Sequence, residues 1–144
     1  MFLGNLTETI TFGENFARQI SPKSIILLKG PIGAGKTSFV QGIGKGLSIK
    51  ETISSPTFAL SHHYLTGLIP LIHMDLYRID NSISARELFL EEEEDLEVTK
   101  GILIVEWPEL ILPILEEYWL VEIKYGEKNG RNFQISEPNL SKNS

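Results

Sequence analysis

Apolar residues along the chain change their period several times, and each change marks an element. Ile10, Phe16, Ala17 and Ile20 recur at helical spacing over residues 8–20, with Asn5 or Thr7 available as a cap. Ser21-Pro22-Lys23 breaks that pattern. Ser24-Ile25-Ile26-Leu27-Leu28 is a short continuous apolar run, the signature of a buried parallel strand. Phe39, Val40, Ile43 and Leu47 then share one face of a helix ending near Leu47. Residues 50–55 read as a loop. Phe58 to Leu65 and Leu68 to Leu76 predict two strands around the turn Thr66-Gly67.

The later half repeats the alternation of helix and strand. Ser84 and Glu87 have the spacing of a capping box, opening a helix through Leu88, Phe89 and Leu90 that ends in Glu91-Glu92-Glu93-Glu94-Asp95. That acidic run is either a solvated helix face or a docking surface. Ile102-Leu103-Ile104-Val105 predicts a central parallel strand. Residues 108–118 predict a short helix, interrupted or bent at Pro113. Trp119 to Tyr125 and Arg131 to Ser136 predict a closing hairpin, and residues 137–144 form a polar tail. Gly42 and Gly44 each cost their helix about 1 kcal/mol against Ala, unless they allow close packing against a neighbour.

Chemistry enters at Gly30-Pro31-Ile32-Gly33-Ala34-Gly35-Lys36-Thr37, which fits G-x-x-x-x-G-K-[ST] at every fixed position. Its flanks supply the strand before and the helix after that a phosphate-binding loop requires. Glycine lets backbone N–H groups turn inward around a phosphate, and the helix start aims its dipole at the same anion. Gly33, Ala34, Gly35, Lys36, Thr37 and Ser38 are therefore candidate nucleotide contacts. Lys36 is expected to reach the terminal phosphates and the Thr37 hydroxyl to ligate Mg²⁺. The fold this predicts is α/β: a single three-layer domain of the P-loop NTPase type over residues 1–136, with a mainly parallel central sheet and antiparallel hairpin additions.

Two acids are placed to complete the site. Asp75 ends the apolar run of the second hairpin strand, and Glu106 sits at the C-terminal end of the central strand, where ligands bind in open α/β sheets. With Thr37 they are the candidate metal ligands, and with Lys36 the candidate catalytic residues. Trp107 follows Glu106 directly and is also counted with the nucleotide contacts. Pro56 stiffens the entry to Thr57, which is either a strand-start residue or a group near the phosphate. His62 and His63 face opposite sides of one strand, and His73 is read as a support for Asp75.

Composition limits the partners. The 144 residues carry a net charge of −6 and no Cys, with 42% hydrophobic and 22% charged content. An acidic chain gains no general attraction to a phosphate polymer, so direct binding to nucleic acid is disfavoured. No apolar stretch approaches a bilayer span and the start lacks a secretory pattern, which points to the cytoplasm.

Taken together, the phosphate loop, Ser55-Pro56-Thr57-Phe58, His73-Met74-Asp75-Leu76-Tyr77-Arg78 and Glu106-Trp107-Pro108-Glu109 resemble the TsaE (YjeE) family in order and spacing. The resemblance implies an ATPase supporting threonylcarbamoyl modification of tRNA adenosine, with ATP and Mg²⁺ at the site. It implies the TsaD–TsaB heterodimer as partner, tRNA reached only through that complex, and a monomeric free protein. It puts Thr57 on a switch-like segment, Thr9 on a helix near the nucleotide and Arg131 in the last hairpin beside it. The stretch from Glu91 to Lys100 departs from the family in being more acidic. A small-molecule kinase, a GTP switch and a nucleotide-gated interaction module are the rival readings. The chain has four Arg and no lid-like insertion, which counts against a kinase, and no N-K-x-D segment, which counts against guanine selection.

Overall fold

The computed structural model describes residues 1–56 and 60–138. Thr57, and all of the tail beyond residue 138, lie outside the described residues. Seven strands form one sheet: β1 (Phe2–Leu3), β2 (Ile25–Lys29), β3 (Ser61–Tyr64), β4 (Leu71–Asp75), β5 (Ile102–Glu106), β6 (Trp119–Tyr125) and β7 (Arg131–Ser136). Their order is β1-β7-β6-β2-β5-β4-β3. The four central strands β6, β2, β5 and β4 run parallel. The β3–β4 and β6–β7 pairs add antiparallel strands on either side. The mainly parallel α/β sheet with hairpin additions is therefore the observed fold.

Helices cover both faces. Residues alternate sides along each strand, so Ile26, Leu28, Leu71, Ile102, Ile104, Val121 and Ile123 join one core with Phe16, Phe39, Val40 and Ile43 from α1 (Leu6–Ala17) and α2 (Lys36–Gly46). Leu27, Ile72, Met74, Leu103 and Val105 join a second core under α3 (Ser82–Thr99), around Phe89 and Leu96. Among the described residues no helix is long and apolar enough to cross a membrane.

Several boundaries differ from the sequence expectation. Helix α1 starts at Leu6 because the Asn5 side chain accepts the Glu8 N–H at 2.8 Å, and it stops at Ala17; Ile20 is buried from the turn beyond. The cap of α3 is Asn81, whose side chain accepts the Ser84 N–H at 2.8 Å, so Ser84 lies inside the first turn and the Ser84–Glu87 capping box does not form. The helix runs on past the acidic stretch to Thr99. Four acids in that run are exposed, but Glu92 turns inward and accepts from Ser61 Oγ at 3.1 Å, with His63 Nε2 at 2.5 Å. The segment over 108–118 is interrupted rather than bent: two short 3-10 turns, Pro108–Leu110 and Leu112–Ile114, each with a proline in its first positions, stand in place of an α-helix. Strand β1 has only two residues, too few to show a period.

Glycine governs how α1 meets α2. A Cβ on Gly42 would lie 2.2 Å from the Ile10 carbonyl oxygen, and one on Gly13 would lie 2.5 Å from the Phe39 carbonyl oxygen. The helices touch backbone to backbone, which settles Gly42 as a packing residue.

Candidate functional site

Strand alternation also sets the chemistry. Asp75 and Glu106 are register partners at the tips of β4 and β5, and both side chains fall on the sheet face that α2 covers. The turn from β2 into α2 passes over the same strand ends. There Gly33 and Gly35 have φ of 79° and 99°, a region costly for any residue with a Cβ. Gly35 supplies no side-chain cap, so the first N–H groups of α2 point into the cleft without a side-chain acceptor.

The cleft has a volume of about 490 Å³. Gly33, Gly35, Lys36, Thr37, Ser38, Asp75, Glu106, Trp107 and Arg131 all line it, so most of the residues marked from the sequence come together. Ala34 is buried behind the loop. Thr9 does not line the cleft: it is fully buried, and its hydroxyl donates to the Asn5 carbonyl at 3.2 Å. Leu6, one turn earlier, is the α1 residue that does. Sequence reasoning missed Leu6, Ile32, Ser55 and Tyr77 as lining residues. Ile32, Ser55 and Tyr77 belong to segments already marked, whereas Leu6 carries no signal beyond an apolar side chain.

Lys36 is nearly buried. Its ammonium donates to the Gly30 carbonyl at 2.7 Å, lies 3.8 Å from the centre of the Trp107 ring and is 4.0 Å from Glu106 Oε1. Burial holds its pKa below the ordinary value, against the pull of Glu106, Asp75 and Glu109. Trp107 has φ 56° and ψ 61°, a left-handed conformation rare for a bulky residue, and its ring meets Tyr77 at 4.8 Å. Thr37 Oγ1 and Ser55 Oγ share a hydrogen bond at 2.8 Å. Arg131 donates to the loop carbonyls of Ala34 and Gly33 at 3.0 Å each, and to Asn129 and Gly130 in its own turn. The Tyr125 hydroxyl donates to the Ile32 carbonyl. The last hairpin thus grips the loop from outside.

His73 takes a different part from the one read in the sequence. Its Nε2 bonds Glu106 Oε2 at 2.6 Å, so its hydrogen bond supports Glu106 and not Asp75. The register explains this: His73 stands opposite Ile104, two residues behind the strand tip, and its ring reaches forward to the tip of β5. His62 and His63 do face opposite ways, His62 toward Tyr64 and His63 toward Glu92.

Burial raises the pKa of Asp75, and the Glu106 charge adds to this against the Tyr77 N–H, His73 and Lys36. The native state therefore binds this proton in a window extending upward from 3.8. The contribution to stability is best below that window and falls as pH rises through the native pKa. Asp75→Asn, which can still accept the Tyr77 N–H, is expected to raise Tm at about pH 7 and to leave it unchanged at about pH 3. Thermal unfolding at both pH values checks the sign.

Comparison with known proteins identifies the relatives of this cleft. A family model described as "Threonylcarbamoyl adenosine biosynthesis protein TsaE" matches residues 3–133. The chain belongs to the TsaE family. Among its TsaE relatives, a protein of Nostoc sp., named tRNA threonylcarbamoyladenosine biosynthesis protein TsaE, is 41% identical, with 94% of this chain and 84% of that one covered. The TsaE of Synechocystis sp. is 46% identical over 75% of this chain and 69% of its own length. A solved structure described as Bacillus subtilus YdiB superposes with a TM-score of 0.75 at 29% identity, covering 94% of this chain and 82% of that one.

Proposed function

We propose that this TsaE-family chain binds and hydrolyses Mg-ATP, and that it does so in support of threonylcarbamoyladenosine formation on tRNA through the TsaD–TsaB heterodimer. One observation carries the reading: an uncapped helix start, a buried lysine and two strand-tip carboxylates converge on a single cleft. The donor set suits the metal. The Thr37 hydroxyl and the Asp75 and Glu106 carboxylates are hard oxygens, few in number, as Mg²⁺ prefers when it keeps several waters. The charge that burial penalises on Asp75 is one a divalent cation would relieve.

The residues divide the work by their surroundings. Loop N–H groups and Lys36 bind the phosphates and stabilise charge as water attacks the γ-phosphorus in line. Thr37 and Asp75 would hold the metal, which would supply positive charge beside the phosphates. Glu106 is 3% exposed and has one oxygen tied to His73, so its free oxygen is fixed in direction; it orients the attacking water. Arg131 is occupied by carbonyls and serves the loop's shape rather than the transferring group. A slow ATPase completed by its protein partner follows. The net charge of −6 is in keeping with reaching tRNA through that partner.

The test combines wild type with Glu106→Gln. Wild type should turn over Mg-ATP and support multiple rounds of tRNA modification when added to TsaD–TsaB. Glu106→Gln should still bind ATP but lose about 10²-fold or more in kcat. Equal turnover in the two proteins would overturn the reading. Binding has its own readout, because Lys36 lies over Trp107: in a Trp119→Phe background, ATP should change Trp107 emission, and GTP should do so only at higher concentration.

A further inference from the structure

We infer that His73 is a positioning residue that holds the Glu106 carboxylate back from Lys36 and so keeps the ammonium available to phosphate. The inference rests on the ATPase reading and deepens it.

The arrangement needs such a restraint. Glu106 and Lys36 are oppositely charged, and their side chains are only 3% and 7% exposed. Attraction between charges is strong at such burial, and each group is held by another partner. Yet their nearest atoms are 4.0 Å apart, beyond hydrogen-bonding distance, while Lys36 donates to the uncharged Gly30 carbonyl at 2.7 Å. On the far side of the carboxylate, His73 Nε2 holds Oε2 at 2.6 Å. The His73 side chain is itself fully buried on β4, with Ile104 of β5 and His62 of β3 as its register partners, so it has little room to turn. Glu106 is thereby anchored from behind, with only Oε1 facing the cleft.

Stability does not account for a histidine here. Its Nδ1 is buried without a hydrogen-bond partner among the described residues. An unsatisfied buried polar atom costs about 1–3 kcal/mol, which Leu or Ile would avoid at this fully buried position. The same orphan atom fixes the tautomer: the proton is on Nε2, donated to Glu106, and Nδ1 is bare, since a second buried N–H would also need an acceptor. A ring in that state anchors the carboxylate without cancelling its charge.

A double-mutant cycle on ATP affinity decides the matter. His73→Leu frees Glu106 to close on Lys36, so ATP affinity should weaken by about tenfold, with a further loss in kcat. His73→Gln, whose amide can still donate to the carboxylate, should recover most of the affinity. In a Glu106→Gln background there is no anion to restrain, and His73→Leu should change affinity by no more than about twofold. An equal loss with and without the Glu106 carboxylate would show that His73 acts only through packing and would overturn the inference. If wild type itself binds no ATP, the ATPase reading fails instead. Should His73→Leu not fold, the cycle is run with His73→Met, which also lacks a donor, and the ¹⁵N shifts of His73 in wild type are read beside it. An Nδ1–H tautomer there would equally sink the proposal.

Discussion

Lys36→Met is expected to lose the proposed ATP turnover, with kcat/KM reduced roughly 10²–10³-fold. Methionine keeps most of the apolar stem that lies against Trp107, so the change removes an ammonium and little else. Among the described residues, the other basic one lining the cleft is Arg131, and it donates to four carbonyls. Stability should move the opposite way or not at all, because burial already disfavours the protonated lysine. Steady-state ATP hydrolysis and a thermal melt on the same preparation separate the two effects. A variant that melts normally and hydrolyses ATP at the wild-type rate would exclude Lys36 from the chemistry.

Gly42→Ala should be among the most destabilising single changes in the chain, by about 3 kcal/mol or more. Helix propensity argues for alanine by about 1 kcal/mol. Sterics argue against it more strongly, since the new methyl would sit 2.2 Å from the Ile10 carbonyl oxygen and 3.0 Å from Gly13 Cα, both backbone atoms that move only if the helices part. Gly44→Ala is the control. Its methyl would meet the end of the Ile53 side chain, which can rotate away, so its cost should be much smaller. Urea unfolding of the two variants side by side gives the comparison, and equal losses would mean that the α1–α2 contact is softer than its geometry implies.

The sequence made some features legible and hid others, for physical reasons. Strands β2 and β5 were visible as runs of branched apolar residues because both faces of those strands are buried. The loop was visible because its turn restricts residue type at several positions close together, with Gly33 and Gly35 both at positive φ. Asp75 and Glu106 could be marked because each ends an apolar run, and sheet order then set them side by side. Asn5, one of the two caps open to α1, is the one used, whereas the start of α3 was misjudged because any of several Asn or Ser residues can cap a helix and the choice depends on where the helix packs. The partner of His73 was misjudged for a related reason. Asp75 is its neighbour in the chain, but Glu106 is its neighbour across a parallel strand pair, and parallel register is invisible before the sheet is assembled.

The grip of the last hairpin on the phosphate loop has a consequence for how the protein comes into being. Arg131 and Tyr125 reach back across 97 and 93 positions to shape a turn made of residues 30–37. While the chain is still emerging from the ribosome, the loop exists long before the side chains that mould it. Nucleotide capture should therefore be absent from nascent chains halted before residue 125 and should arise abruptly once residue 131 has cleared the exit tunnel, so that the pocket matures as one of the last events of synthesis.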